Sequence, residues 1–276
     1  MTKVALVGAG GKMGLRLTDN LKKSAYEMTY LEVSKEGIKK VESRGVKVCT
    51  DPDKAISEAD IVIFAVPDVL IKKVSHLYVP KMRSGATAVF LDPAAPLSGA
   101  LPEREDIAYF ASHPTHPSVF NWESDKEKHF DYFGGIAAKQ AIVCALIQGD
   151  DKYYAVAEEL AKTMYAPVFV SHRITLKDMG ILEPALSETF SGAMISKMKE
   201  ALDIVVSKGV PKEAAYDFFL GHINIELALI FGQLPGGEFS DAAKKAIKIG
   251  DKLLFKDTWK DIFDEESVKE QIRQIT

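Results

Sequence analysis

The sequence has no apolar run approaching the ~20 residues that span a bilayer, and Met1-Thr2-Lys3 leads into the first strand-like run with no apolar leader segment between. The expected protein is cytoplasmic and has no membrane partner. Cysteine is scarce. Cys49 and Cys144 are the two in the chain, each in or near an apolar run where a free thiol behaves as a small hydrophobe, which excludes a disulfide scaffold. An excess of basic residues is also missing. With 35 Lys+Arg against 39 Asp+Glu the net charge is −4 and the sequence pI is near 5.9. No Lys/Arg cluster stands out, so there is no electrostatic footprint for nucleic acid. Internal repeats and low-complexity segments are absent too.

What is present suits a sizeable core: 276 residues with 47% hydrophobic content, enough for one large domain or two. The chain is organised around Lys3-Val4-Ala5-Leu6-Val7-Gly8-Ala9-Gly10-Gly11-Lys12-Met13-Gly14. Val4 to Val7 reads as a strand buried on both faces, and the glycines open an amphipathic helix through Leu15, Leu17 and Leu21. Glycine allows positive φ and close backbone approach to a pyrophosphate, while the N–H groups of a helix start supply donors and a positive dipole end. Gly8, Gly10, Gly11, Lys12, Met13 and Gly14 are therefore candidate dinucleotide contacts. A second apolar run, Met28 to Val33, ends near Glu32, where a carboxylate accepts from the adenosine ribose of NAD. Ser34 and Lys35 keep a 2′-phosphate, and so NADP, open.

Further along, Lys35 to Ser43 reads as a helix, Val46 to Val48 as a brief strand and Asp51 to Glu58 as another helix. Asp60 to Val66 reads as a strand, and Pro67 fits the first turn of the helix that follows. Ala86 to Leu91 is a strand that runs into Asp92-Pro93-Ala94-Ala95-Pro96, too proline-rich for a helix interior. Ligands of open α/β sheets bind at strand carboxyl ends, so Ala65, Val66, Pro67, Asp92 and Pro93 join the candidate cofactor contacts. Ile107 to Ser112 is the next strand, Asn121 to Phe133 a loop or lid, and Ala141 to Gln148 and Val168 to Val170 two more strands around a helix from Asp151 to Met164. From about Thr175 the periodicity is helical. Ile174 to Lys208 suits one long helix kinked or started by Pro184, and Pro211 to Phe231 the next. The expected class is α/β: an N-terminal Rossmann-type doubly wound parallel sheet over residues 1–172, then an all-α domain over residues 173–276 that mediates a homodimer.

Three constellations carry candidate chemistry. His113 and His116 each precede a proline. Polyproline geometry at ~3.1 Å per residue would point both to one side, about 9 Å apart, one as ligand or base and the other as orienter. Their alternative is to satisfy loop backbone groups. The helix around Gly221-His222-Ile223-Asn224-Ile225-Glu226 is apolar on nearly every side, which predicts burial. His222 and Glu226 share one face of it, either as a structural pair or turned toward a cleft or subunit interface. Glu183, just before Pro184, is either a helix-capping acid or a metal ligand or general base.

These residues carry a resemblance to the 6-phosphogluconate-dehydrogenase-like superfamily. It rests on the turn from Gly8 to Gly14, on Phe64-Ala65-Val66-Pro67 and on the helical second half. Within it, His113-Pro114-Thr115-His116-Pro117, Gly134-Gly135-Ile136 with Lys139-Gln140, Ile181-Leu182-Glu183-Pro184 and Gly221 to Glu226 resemble a family labelled phosphogluconate-dehydrogenase-like or semialdehyde-dehydrogenase-like, which includes D-apionate oxidoisomerases. The resemblance implies NAD-linked oxidation at a CH–OH of a small hydroxy or sugar acid, coupled to an α-ketol shift. A divalent ion such as Mg would suit that chemistry by chelating the substrate oxygens. On this reading His113, His116, Glu183 and His222 are the catalytic candidates, and His116, Glu183, His222 and Glu226 the metal candidates. The β-hydroxyacid dehydrogenase lysine motif is not matched, since Gly192 is followed by Ser196 and Lys197 with no Asn after them. A prephenate-dehydrogenase-like enzyme, which shares a His-Pro pair after a strand, and a nucleotide-binding regulatory protein without turnover are the alternatives.

Overall fold

The computed structural model describes residues 1–276. The chain runs β1 (Lys3–Val7), α1 (Lys12–Leu21), β2 (Glu27–Leu31), α2 (Lys35–Glu42), α3 (Pro52–Glu58), β3 (Ile61–Phe64), α4 (Asp68–Tyr78), β4 (Thr87–Phe90), α5 (Ala94–Leu97), β5 (Ala108–Pro114), α6 (Lys126–His129), β6 (Gln140–Gln148), α7 (Asp151–Met164) and β7 (Val168–Arg173). It continues through α8 (Leu176–Gly180), a π-helical segment (Ile181–Gly192), α9 (Ala193–Ser207), α10 (Lys212–Ile230), α11 (Asp241–Leu254) and α12 (Glu265–Ile275). Two compact units result, Met1–Pro184 with Lys269–Thr276, and Ala185–Val268.

The first unit is a seven-stranded sheet in the order β2-β1-β3-β4-β5-β6-β7. Its pairs are parallel, except that β6 runs antiparallel to β5, which is the expected doubly wound, mostly parallel sheet. Near-continuous apolar strands require cover on both faces. Leu17 and Leu21 of α1 with Leu160 and Met164 of α7 cover one face, and Ile56 of α3 with Ile71 and Tyr78 of α4 cover the other. The strand order reverses between β1 and β3, and their carboxyl ends open the crevice in which such folds bind ligands.

Several expectations change in detail. Val46 to Val48 makes a single bridge, Val48 to Tyr30, rather than a strand. Pro67 precedes α4 instead of entering it. Asp92 to Pro96 holds the one-turn helix α5 after Pro93; Pro96 is tolerated because first-turn N–H groups have no intrahelical acceptor. Asn121 to Phe133 contains the short α6, capped by the Asp125 side chain. The boundary expected at residue 172 falls inside β7, and the compact units part after Pro184, because α8 packs on β6 and α5. Pro184 neither starts nor breaks the helix. Thr175 starts it with a capping box, and the chain widens to π geometry around the proline, whose missing N–H and ring are incompatible with the α-helical i→i−4 pattern.

In the second unit α9 packs against α10, and Phe190 stacks on Trp259, with Phe263 and Phe255 beside the pair. The expected burial of α10 does not occur within one chain. Ala215 is its one buried residue, and Phe218, Leu220, Ile225 and Ile230 are exposed.

Gly14 lies where α1 meets the turn, and a Cβ there would overlap the Gly8 carbonyl oxygen and come within 2.9 Å of Ala9 Cα. Backbone cannot yield as a side-chain tip does. Gly14→Ala is therefore expected to lower stability by about 1–3 kcal/mol, read as a lower urea midpoint; an unchanged midpoint would contradict this packing.

Candidate active site

The glycine turn is held tightly at the sheet's switch point. Gly8 adopts φ +82°, and a Cβ on it would lie 2.5 Å from Ala65 O and 2.8 Å from Val66 Cγ1. The turn after β1 and the Ala65-Val66-Pro67 segment after β3 thus touch backbone to backbone. Gly8 and Ala9 donate their N–H groups to Leu31 O (2.9 and 3.1 Å). α1 begins at Lys12 with Gly11 as N-cap and no side-chain cap, which leaves first-turn donors of Lys12, Met13 and Gly14 suited to an anion. Glu32, one residue beyond β2, accepts from Gly10 N–H (2.9 Å) through Oε2 and from Val33 and Ser34 N–H (2.8 Å each) through Oε1. Burial pushes the Glu32 carboxyl up, but the N–H groups of Ser34, Gly10 and Val33 outweigh it, and the net shift is downward. Glu32 is thus held as a carboxylate.

Three acidic or imidazole groups gather at the carboxyl ends of the next strands and on the helix after β7. Asp92 follows β4, His113 is the penultimate residue of β5, Glu183 lies in the π-helical segment, and one potential ligand atom from each falls within 4.8 Å of the others. His113 Nδ1 bonds Leu91 O at 2.8 Å. A carbonyl only accepts, so Nδ1 carries the hydrogen, and Nε2 faces Glu183 Oε2 at 3.4 Å. In neutral His113 that arrangement sets a lone pair against a carboxylate, which a proton or a cation between them relieves. Asp92 Oδ1 accepts from Ala94 N–H at 2.8 Å, and its Oδ2 is 3.9 Å from His113 Nδ1. Burial raises the Asp92 carboxyl, opposed by the Ala94 N–H and His113, and Glu183 adds to the rise. Asp68, at the start of α4, is pushed up to about 6, first by burial and then by the charge of Asp92, while its own N–H and His113 pull it down. One imidazole nitrogen and two carboxylates form a donor set that suits a divalent cation such as Mg²⁺, Mn²⁺ or Ca²⁺.

His116 does not take polyproline geometry. Its φ is +59°, uncommon for a residue with a side chain, and its ring lies 6.3 Å from that of His113, edge to face. Its Nδ1 bonds Phe133 O at 2.8 Å, which again assigns the hydrogen to Nδ1 and leaves Nε2 as an acceptor. Arg16 of α1 covers the Phe133 ring at 4.0 Å, and Asp131 accepts from the N–H groups of Ile136, Ala137 and Ala138. The loop carrying Phe133 is thereby tied to the glycine-turn helix.

Of the residues expected from sequence, the structure brings His113 and Glu183 together and sets His116 beside His113. The capping role for Glu183 is excluded, because the helix starts at Thr175. His222 and Glu226 belong to the second unit. Both are exposed, and His222 stacks on Phe218 at 4.0 Å and bonds Phe218 O, so the buried His222–Glu226 pair is not formed. Asp92 was a cofactor candidate rather than a ligand, and Asp68 and Asp131 were not candidates at all. Position just past a strand's carboxyl end is the signal that marks Asp68 and Asp92. A cavity of about 430 Å³ lined by Met1, Thr2, Asp60 and Arg83 lies at the other, amino ends of the strands, and its Arg83 is paired with Asp60.

Comparison with known proteins shows what the chain is similar to. Residues 3–89 match the family described as the NAD binding domain of 6-phosphogluconate dehydrogenase, and residues 121–276 match phosphogluconate dehydrogenase (decarboxylating) C-term. The chain is 48% identical over 274 residues to the D-apionate oxidoisomerase of Cupriavidus necator, covering 99% of both chains. It is 46% identical over 276 residues to that of Rhizobium rhizogenes, covering 100% of both. A crystal structure of a semialdehyde dehydrogenase NAD-binding protein from Cupriavidus necator, in complex with calcium and NAD, superposes with a TM-score of 0.97 at 48% identity, over 100% of both chains.

The raised Asp68 carboxyl makes stability depend on pH. Folded Asp68 takes up a proton near pH 6, and the unfolded chain only near 4, so its contribution is favourable at the acidic end and is lost as pH rises through about 4 to 6. Asp68→Asn removes that cost. Its Tm is expected to exceed the wild type's at pH 7.5, without divalent ions, by a margin that shrinks by pH 4.5. A margin that is constant with pH would contradict the assignment.

Proposed function

The chain belongs to the D-apionate oxidoisomerase family of NAD-binding, 6-phosphogluconate-dehydrogenase-like enzymes, and from that premise we propose that it oxidises a branched sugar acid of the D-apionate type with NAD and carries out the coupled α-ketol shift. The observation that carries this reading is the convergence of Asp92, His113 and Glu183, with His116 beside them, at the same strand ends as the glycine turn and Glu32. In the oxidation the substrate hydroxyl loses a proton and its carbon a hydride. In the shift a carbon substituent leaves the carbinol carbon with its bonding pair for the neighbouring carbonyl carbon; the carbinol O–H gives up its proton as that carbon becomes the new carbonyl, and the former carbonyl oxygen takes up a proton, with no net change of oxidation state.

NAD, when bound, accepts the hydride, and a divalent ion, when bound, chelates vicinal oxygens and polarises the carbonyl. The protein's own groups do the rest. Asp92, His113 and Glu183 would hold the ion, with His113 oriented by Leu91 O. His116, its Nδ1 occupied by Phe133 O, presents Nε2 as the base for the substrate hydroxyl. Glu32 accepts from the adenosine ribose and disfavours a 2′-phosphate, which makes NAD the preferred cofactor.

The same reading includes a homodimer. Within residues 185–268 the buried apolar residues are Ala185, Leu202, Ala215 and Val268, while Phe218 is 69%, Ile230 64% and Leu254 79% exposed. A helical unit with so small a core needs a partner surface, and a second copy supplies one of equal apolarity. His222 and Glu226 of α10 go with that face.

Two measurements follow. His116→Ala and Glu183→Gln are each expected to lower turnover of NAD with D-apionate by about a hundredfold or more, leaving the NAD Kd nearly unchanged. Absence of NADH formation by the wild type with any branched sugar acid, with and without Mg²⁺, would return the protein to the regulatory reading. Light scattering at micromolar concentration is expected to give twice the 30.3 kDa chain mass, and Phe218→Asp with Ile230→Asp to abolish the dimer and lower Tm. A stable wild-type monomer would refute the dimer.

A further inference from the structure

Glu32 is seated by more than its hydrogen bonds. A Cβ on Gly37, in the first turn of α2, would lie 2.6 Å from Glu32 Cδ, 2.7 Å from Ser34 Oγ and 2.8 Å from Glu32 Cγ. A Cβ on Gly10 would lie 2.5 Å from Gly37 Cα and 2.7 Å from Glu32 Oε2. The two glycines thus pass each other at backbone distance with the carboxylate packed against both. We propose that Gly37 is a positioning residue for dinucleotide selection: by lacking a Cβ it lets α2 close on Glu32 and hold that carboxylate against the N–H groups of Gly10, Val33 and Ser34. The proposal rests on the reading of Glu32 as the group that meets the adenosine ribose.

The hydrogen bonds give the arrangement its consequence. A 2′-phosphate would draw on donors at the start of α2, and three of those donors are already used. Val33 and Ser34 N–H both go to Glu32 Oε1, and Gly37 N–H goes to Ser34 Oγ (3.0 Å). Glu32 therefore occupies from inside the chain the position of the anion that it excludes. With one methyl group on Gly37 the carboxylate has to leave this seat, because the alternative is to move the backbone of α2. The charge remains in the protein, but its aim is lost, and Val33 and Ser34 N–H become free for another anion.

The test is calorimetric titration of the full chain with NAD and with NADP. For Gly37→Ala the NAD Kd is expected to rise about tenfold, the scale of losing an ionised hydrogen-bond partner, and the ratio of NADP Kd to NAD Kd to fall at least as far. Tm should fall rather than rise, since the added Cβ also lies 2.7 Å from Ser34 Oγ, the cap of α2, and this outweighs the helix preference of alanine. In the Glu32→Ala background the same substitution should change neither Kd more than twofold, because the group it displaces is gone. A folded Gly37→Ala protein with the wild-type ratio would overturn the proposal, as would a second full loss in the double variant. If Gly37→Ala fails to fold, folding of Glu32→Ala/Gly37→Ala supports the contact and its failure refutes it. A wild type that binds NADP as tightly as NAD overturns the Glu32 reading and this proposal with it. A wild type that favours NAD while Gly37→Ala is unchanged overturns this proposal alone.

Discussion

The contact between His113 Nε2 and the Glu183 carboxylate, 3.4 Å apart, is the constraint around which the rest of the site is arranged. Leu91 O fixes the hydrogen on the other ring nitrogen, so two acceptors confront each other unless something positive lies between them. Asp92 and Asp68 lie on that side, their carboxyls raised first by burial, with a further rise from Glu183 on Asp92 and from Asp92 on Asp68. A partly buried carboxylate is expensive, and Asp92 and Glu183 beside one another are an arrangement that a divalent cation offsets. The fold supplies these groups from separate elements. β4, β5 and the helix after β7 each contribute one member of the trio, and α4 contributes Asp68.

Delivery of Glu183 depends on how the chain handles Pro184. In an uninterrupted α-helix the proline would remove a hydrogen bond and press on the carbonyl one turn earlier. The π-helical segment from Ile181 to Gly192 accommodates it and changes the rotation of the residues around it. A proline one residue after a candidate ligand is thus part of how that ligand is aimed. On the other side, His116 is set by a left-handed backbone and by the Phe133 carbonyl, and Phe133 is in turn covered by Arg16 from the glycine-turn helix. The dinucleotide end and the histidine loop therefore share a physical connection within one unit.

Much of this was legible in the residues. The apolar strands and the glycine turn follow from short-range periodicity and from what only glycine permits, and Glu32 lies where a strand end and a carboxylate coincide. The grouping of Asp92 with His113 and Glu183 was not legible, since residues far apart in sequence meet only through the order of strands. His113 and His116 were expected about 9 Å apart on a polyproline run, whereas β5 extends through Pro114 and tertiary bonding turns His116 into the left-handed region. The apolar character of α10 predicts burial, and the single chain leaves that helix exposed, because an apolar surface says that it must be covered and not which molecule covers it.

The central claim is that Asp92, His113 and Glu183 form one divalent-cation site. Electron paramagnetic resonance of Mn²⁺ titrated into the full chain tests it most directly, comparing the wild type with His113→Ala and His129→Ala, the latter histidine lying on α6 outside the cluster. The account predicts one bound ion per chain in the wild type and in His129→Ala, and its loss in His113→Ala, the scale of removing a ligand from a small donor set. Equal binding by all three proteins would contradict it.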